Sequence, residues 1–256
     1  EMALSIDIVR LRRDFTVDLA RKREFVLTKW ADKGVPAADI ERAAAILSKP
    51  TGNPYLDLCI LKGRFPSRKA QFCTQFLKTE PLVEYLMDLI DAGHAVWSWQ
   101  GIRSDESPRR ALAPEFEEVG GGLFQYRPIK RWTAADTFEA HAVCGIEPNP
   151  LYKQGMNRVG CMPCINASKA ELHQISRRFP EHIDRIAEWE RLVGAASKRG
   201  VSSFIPAPDG GRGERQGRNI FEIVRWSNTT LGGRQQDLLK VNADLPACSS
   251  AYGLCE

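Results

Sequence analysis

The sequence has no apolar run near the roughly 18–20 residues that cross a bilayer as a helix, so a membrane-spanning helix is not expected. Its first residues, Glu1-Met2-Ala3-Leu4, show no basic segment followed by a long apolar core. No secretory signal is read there, and a cytoplasmic, reducing setting is expected. Histidine is scarce: His94, His141, His173 and His182 form no His-x-x-His or His-Glu-x-x-His pattern and read as structural or exposed. No Walker A motif occurs, which leaves out a P-loop, and Gly120-Gly121-Gly122 follows no phosphate-loop pattern. Charge of one sign is not in excess. With 36 basic and 32 acidic residues the net charge is +4, too mild to demand nucleic acid but compatible with a local basic groove. The bias of a disordered chain is missing too, since 43% of residues are hydrophobic and 27% charged.

What is there fits one large domain, or one domain with an appendage, in 256 residues. Ile6 to Leu11 alternates and is β-branched, which predicts a strand. A helix is expected from a Thr16 cap to about Lys33, and another from Ala37 to Ser48 behind Pro36. Tyr55 to Leu61 is apolar and reads as strand or helix. Ser67 is expected to cap a helix through Lys78, and Glu80-Pro81 to open one that Gly93 stops. His94 to Ile102 reads as a strand. This alternation predicts an α/β domain with a mostly parallel sheet. Farther on, Thr133 with Asp136 predicts a capped helix, and helices are expected at Ser168–Arg178 and Pro180–Lys198. The Gly- and Pro-rich stretch 206–218 reads as a loop, and Asn219 to Trp226 as a last short element.

Seven cysteines in a chain without an export signal read as metal ligands or redox groups sooner than as disulfides. Cys161-Met162-Pro163-Cys164 is a Cys-x-x-Cys pair, with Gly160 and Pro163 shaping a turn. Cys248 and Cys255 bracket six residues near the end. Two distant thiolate pairs can converge on one zinc ion or on the corners of an iron–sulfur cluster, and spacing does not separate the two. A redox disulfide between Cys161 and Cys164 is the third option. Cys59 and Cys73 read as packing residues, and Cys144 as either.

The predicted strand at 94–102 runs straight into Gly101-Ile102-Arg103-Ser104-Asp105-Glu106-Ser107-Pro108-Arg109-Arg110. Ligands of open α/β sheets gather beyond the carboxyl ends of strands. Arginine forks and a serine hydroxyl there suit phosphate or sulfate, with Asp105 and Glu106 orienting the arginines. Arg64, Arg68, Lys69 and Lys78 form a second basic group, and Arg127, Lys130 and Arg131 a third, so the expectation is an oxyanion pocket. Tyr152, in the turn Asn149-Pro150-Leu151-Tyr152, reads as a packing residue.

Four segments occur in order: Gly101 to Ser107 with Arg110; Arg127-Pro128-Ile129-Lys130-Arg131-Trp132-Thr133; Asn149 to Tyr152 with Gly155; and Gly160-Cys161-Met162-Pro163-Cys164. Together with Pro66 to Cys73, Lys78 and Pro81-Leu82, this set resembles the phosphoadenosine phosphosulfate (PAPS) reductase family, of the adenine nucleotide alpha hydrolase-like, or N-type ATP pyrophosphatase, fold. The likeness covers roughly residues 60–170.

The resemblance implies a parallel-sheet α/β core over 1–205, a flexible loop at 206–218, and a segment 219–256 that returns its cysteines to the core. It implies a 4Fe-4S cluster, with zinc as the alternative, on Cys161, Cys164 and two of Cys73, Cys248 and Cys255. Arg103, Ser107 and Arg110, with Lys78 and Arg68, would hold the oxygens of ATP, adenylylsulfate or PAPS. Cys255 is named first as reacting thiolate, with Arg103 neutralising developing charge. Two features depart from the family. The Ser-Gly-Gly-x-Asp-Ser pyrophosphate loop is absent, so the sequence reads as entering the fold after it. The final Cys248 to Glu256 lacks the Glu-Cys-Gly-(Ile/Leu)-His type of ending. Room is left for relatives that activate an acceptor, including nucleic acid, with ATP and then add sulfur from a thiol or a cysteine desulfurase. The alternative from another class is a zinc-stabilised nucleic-acid-binding protein without catalysis.

Overall fold

The computed structural model describes residues 7–156, 158–205 and 219–229. The chain divides into two compact units. Unit 1 comprises Glu1–Pro81 and Gly160–Leu245; unit 2 comprises Leu82–Val159 and Pro246–Glu256.

Unit 1 is helical where described. Its elements are α1 (Thr16–Lys29), α2 (Ala37–Ile46), α3 (Pro54–Lys62) and the short α4 (Phe72–Thr74), which runs through a π-helical turn, Gln75–Thr79, into α5 (Glu80–Asp91). Helix α1 starts without a cap of its own: Asp14 reaches in from outside, accepting hydrogen bonds from the Thr16 N–H at 2.9 Å and hydroxyl at 2.7 Å. The strand expected at Ile6–Leu11 is not formed over residues 7–11. Ile8 is 80% exposed, and without a neighbouring strand alternation alone does not make a ladder. Ser67 does not cap a long helix either. Its hydroxyl accepts the Ala70 N–H at 3.2 Å in a turn, a local bond that competes with helix formation.

Unit 2 continues α5 into β1 (Val96–Trp99), the short α6 (Pro108–Ala111), β2 (Phe116–Gly120), β3 (Leu123–Tyr126), α7 (Ala134–Val143) and α8 (Pro150–Lys153). The sheet is three-stranded in the order β1-β3-β2. Strand β3 pairs in parallel with β1 and antiparallel with β2. The expected parallel sheet is therefore a small mixed one. The β2–β3 hairpin is what the sequence reading missed. Gly120, Gly121 and Gly122 have φ of 108°, 63° and 89°, backbone that glycine alone adopts at no steric cost. Trp97 stacks on Phe124 at 5.1 Å between centroids and lies 5.5 Å from Phe116, an aromatic row joining all three strands. Helix α7 has the predicted cap: the Asp136 N–H donates to Thr133 Oγ1 at 3.2 Å, and the Thr133 N–H to Asp136 Oδ2 at 2.7 Å.

The chain returns to unit 1 with α9 (Lys169–Arg178), α10 (Pro180–Ala195) and α11 (Ile220–Ser227). Its core brings together Leu19 and Val26 of α1, Leu58 and Ile60 of α3, Leu172 of α9, Ile186 and Val193 of α10 and Ile223 of α11. Each such side chain contributes on the order of 1.5–3 kcal/mol on burial. His173 is buried, with Nδ1 2.5 Å from Asn228 Oδ1, the structural role expected of it.

Glu190 is buried inside unit 1. It accepts the Phe204 N–H at 2.7 Å and the Ile220 N–H at 2.9 Å, so one carboxylate pins both ends of the segment between them. Burial pushes this carboxyl above the usual carboxylate range, although the two N–H groups pull it back. A raised folded value makes the contribution to stability complete below the unfolded glutamate pKa of about 4.3. It is lost as pH rises through the folded value. Glu190→Gln has a single acceptor oxygen for two donors, and is expected to cost about 1–3 kcal/mol. Urea unfolding of both chains from pH 4 to 8 checks this: the parent should lose more stability with rising pH than the variant.

Candidate functional site

In unit 1 the site starts from α3. Asn53 Oδ1 accepts the Tyr55 and Leu56 N–H groups at 3.0 and 3.3 Å, with Pro54 in the first turn, and this cap decides for helix in a segment that read both ways. Tyr55 and Cys59 thereby stand one turn apart on one face. The Tyr55 ring leans on Trp189 of α10, with centroids 5.7 Å apart. Its hydroxyl oxygen is buried, with the Cys59 thiol as its side-chain partner. Burial pushes the phenol far above its ordinary value, and the Cys59, Cys73 and Cys164 thiols add to the shift. Burial likewise raises the Cys59 thiol. Three cysteines from α3, α4 and the turn at 160–164 thus gather about one tyrosine.

Cys59 is fully buried, as expected of a packing residue. Cys73 and Cys164 are half-buried, while Cys161 and Cys144 are exposed. The turn holding the pair contains the cis bond Met162–Pro163, and Cys164 C=O accepts the Ala167 N–H at 2.9 Å. Asn166 Oδ1, two residues on, is buried and lacks a partner. Cys248 and Cys255 lie outside the described residues. Among the described residues no three His, Cys, Asp or Glu side chains are grouped to hold an ion. The donor chemistry nevertheless fits a thiolate-held centre. The groups near the tyrosine are thiols, and a buried hydroxyl with only the Cys59 thiol as side-chain partner is a donor suited to a sulfur ligand. The sequence reading missed Tyr55; its signal was the spacing Tyr55-x-x-x-Cys59 behind Asn53-Pro54.

In unit 2 the loop after β1 holds the second feature. The Gln100 N–H donates to Tyr126 O at 2.8 Å, and the chain then turns through the single 3-10 turn Ser104–Glu106 into α6. Arg103 Nε donates to Asp105 Oδ1 at 3.0 Å and its Nη1 to Thr137 Oγ1 at 3.3 Å. Asp105 Oδ2 accepts the Ala134 N–H at 3.0 Å, tying this arginine to the start of α7. Arg110 pairs with Glu106. Ser107 Oγ accepts the Arg110 N–H at 3.3 Å as the cap of α6, which leaves its own proton to donate. Asp105 and Glu106 therefore orient the arginines, as expected. Arg109 is exposed and forms no ion pair among the described residues.

Within the third basic group, Arg127 and Lys130 are engaged by the protein's own acceptors, which corrects the sequence reading for these two. Arg127 is 5% exposed. It donates to Gln100 Oε1 at 3.0 Å, Pro114 O at 2.7 Å, Glu117 Oε2 at 3.1 Å and Gln125 Oε1 at 2.5 Å. Its donors are spent on the sheet. Lys130 Nζ is likewise committed to Ser104 Oγ and Ala111 O, both at 3.0 Å, and Arg131 to Glu115. Arg68 and Lys78 are exposed and belong to unit 1, not to the unit that holds Arg103, Ser107 and Arg110. Tyr152 packs edge-on against Phe138 at 5.2 Å, as read from the sequence.

Comparison with known proteins adds the family. The phosphoadenosine phosphosulfate reductase domain profile matches residues 60–167, a stretch that runs through both units. An uncharacterized 37.8 kDa protein of Escherichia phage 186 is 45% identical over 274 aligned positions, covering 97% of this chain and 81% of the phage protein. Adenosine 5'-phosphosulfate reductase of Neisseria meningitidis serogroup A is 34% identical over 99 residues, 38% of each chain. The enzyme of that description from Allochromatium vinosum is 32% identical over 103 residues, 40% of this chain and 37% of the enzyme. The match thus spans little more than a third of either reductase. No solved structure matches significantly. No helix among the described residues is long and apolar enough to cross a membrane. The ordered motifs, the matched stretch at 60–167 and the near full-length likeness to the phage protein place this chain in the phosphoadenosine phosphosulfate reductase domain family.

Proposed function

We propose that the chain works in sulfur metabolism on an adenine nucleotide, with a cysteine-held iron–sulfur centre. The observation that carries this is the nearness of Cys73 and Cys164, both within the stretch that the family profile matches, to the buried Tyr55 hydroxyl, which lies just before that stretch. Cys73, Cys161 and Cys164, with a fourth thiolate from Cys248 or Cys255, would hold a 4Fe-4S cluster. Such a cluster would supply iron in soft thiolate coordination, with a potential set by its surroundings. Arg103, Ser107 and Arg110 hold sulfate or phosphate oxygens, with Arg103 pre-oriented by Asp105 and Thr137.

Two versions of the reaction share this machinery. In reduction, a thiolate (Cys255 in our assignment) attacks the sulfur of adenylylsulfate or PAPS. The bond from sulfur to the phosphate oxygen breaks, the nucleotide leaves with the electron pair, and a cysteine S-sulfonate remains. A second thiol then attacks the cysteine sulfur, forming a disulfide and releasing sulfite; the two thiols supply both electrons. In sulfur transfer, an acceptor oxygen attacks the α-phosphorus of ATP and releases pyrophosphate. The terminal sulfur of a donor persulfide then displaces AMP, leaving a disulfide between acceptor and donor cysteine, and a second thiol attacks the donor cysteine's sulfur, forming a new disulfide and releasing the acceptor with its added sulfur.

Anaerobic purification followed by iron, zinc and sulfide analysis tests the centre. Iron with matching sulfide is expected, and colourless, zinc-replete protein overturns the cluster in favour of zinc. Sulfite release from adenylylsulfate with a thiol reductant, set against pyrophosphate release from ATP, separates the two reactions. Arg103→Ala is expected to weaken adenine-nucleotide binding by about tenfold or more, the worth of a charge-assisted hydrogen bond. Calorimetry reads this, and unchanged affinity removes Arg103 from the site.

A further inference from the structure

Unit 1 carries a group of cations that the reading above does not use. Lys22 lies on α1, Lys33 ends the 3-10 turn Ala31–Lys33, Lys62 ends α3, and Lys198 follows α10. Helix α3 packs against both α1 and α10, so residues far apart in sequence reach one area. The cations are interleaved with rings. Lys22 and Lys33 both stand over Phe25, at 5.4 and 5.1 Å from its centroid; Lys62 stands over Phe76 at 4.2 Å, and Lys198 over Trp30 at 5.8 Å. None of the four makes an ion pair among the described residues. Phe25 is 40% exposed although two ammonium groups flank it.

We infer that this lysine and phenylalanine surface binds single-stranded nucleic acid, with phosphates on Lys22, Lys33, Lys62 and Lys198 and a base stacked on Phe25. Four like charges drawn together with no ion pair to any of them among the described residues repel one another, and a polyanion removes that repulsion while releasing its counterions. The Lys22 ammonium shows the crowding: burial, then Lys198, Lys33 and Lys62, hold it below the ordinary lysine range. Lysines suit this partner as point charges that follow a mobile phosphodiester, and an exposed ring between them offers any base a stacking face. A duplex keeps its bases stacked and leaves such a ring unused.

The surface also adjoins the thiols along the chain. Lys62 is three residues beyond Cys59 on α3, and Phe76 is three residues beyond Cys73. One helical turn, about 5 Å of rise, separates each pair. A bound strand would therefore run past the elements that carry the cysteines. This deepens the sulfur-transfer version above, in which a nucleic acid is the acceptor, but the binding itself needs neither metal nor nucleotide.

Fluorescence anisotropy of a labelled oligothymidylate with the full chain, over a salt series, tests the inference. The Lys22→Glu, Lys62→Glu double variant is expected to bind about tenfold or more weakly. Its slope of log affinity against log salt should fall by about 1.4, at about 0.7 per phosphate contact on a single strand. Lys33→Glu with Lys198→Glu should act alike, which guards against a folding defect in the first pair, and Phe25→Ala should cost about tenfold. Unchanged affinity and slope in both double variants overturn the inference. So does equal or tighter binding of a duplex, or capture of phosphatidylserine vesicles with no binding of the oligonucleotide. Metal content is measured on the same samples, so loss of the metal reading and loss of this one are seen separately.

Discussion

Cys164→Ser is expected to yield protein that no longer retains the proposed metal centre, and Cys161→Ser to do the same, while Cys144→Ser is expected to keep the full complement of the parent. The contrast follows from position. Cys164 is half-buried beside Tyr55, and Cys161 is three residues before it in the same turn. Cys144 is exposed just past the end of α7, in the other unit. A serine oxygen is a poor replacement for thiolate on a soft centre. Thiolate-held structural metals are worth on the order of 10 kcal/mol or more, so losing a ligand reads as loss of the centre rather than a small shift. Iron, zinc and acid-labile sulfide per chain, after anaerobic isolation, make the comparison. Full metal in both serine variants would refute the ligand assignment.

The local signals in the sequence are kept where local bonds decide the outcome. Thr133 with Asp136 and Gly93 after α5 are read from residue type and are present as cap and stop, and Ser168 and Asn219, read as the first residues of their elements, are the caps of α9 and α11. The anion loop is legible because β1 ends close before it and its acids and bases are near neighbours. The failures involve partners far along the chain. Residues 7–11 have strand chemistry but no strand beside them, whereas Phe116–Gly120 has a glutamate pair in its middle and becomes a strand because β3 lies next to it. Ser67 satisfies a turn before it can start a helix. The nearness of Cys59, Cys73 and Cys164 to Tyr55, and of Lys33, Lys62 and Lys198 to Lys22, requires α1, α3 and α10 to be packed first, which no spacing in the sequence encodes.

Arg127 shows why chemistry alone misassigns a residue, and its removal is the second large effect expected. A guanidinium that suits sulfate suits peptide and amide oxygens equally well, and only burial tells the two uses apart. Arg127 joins β1, through Gln100 just beyond its end, to Pro114, Glu117 of β2 and Gln125 of β3. Arg127→Ala leaves those acceptors without their donor and opens a space at a side chain only 6% exposed. Breaking a buried, hydrogen-bonded charge of this kind costs about 3–5 kcal/mol. Glu117→Gln should cost less than about 1 kcal/mol, because its side chain is 44% exposed and three other acceptors remain on Arg127. Urea unfolding followed through Trp97 and Trp99, which lie on β1 in the same unit, measures both. An Arg127→Ala chain within about 0.5 kcal/mol of the parent would return this residue to the list of anion ligands. Arg127→Lys sharpens the distinction. A single ammonium cannot span four acceptors in one plane, so a structural Arg127 loses stability on that change before any nucleotide is added.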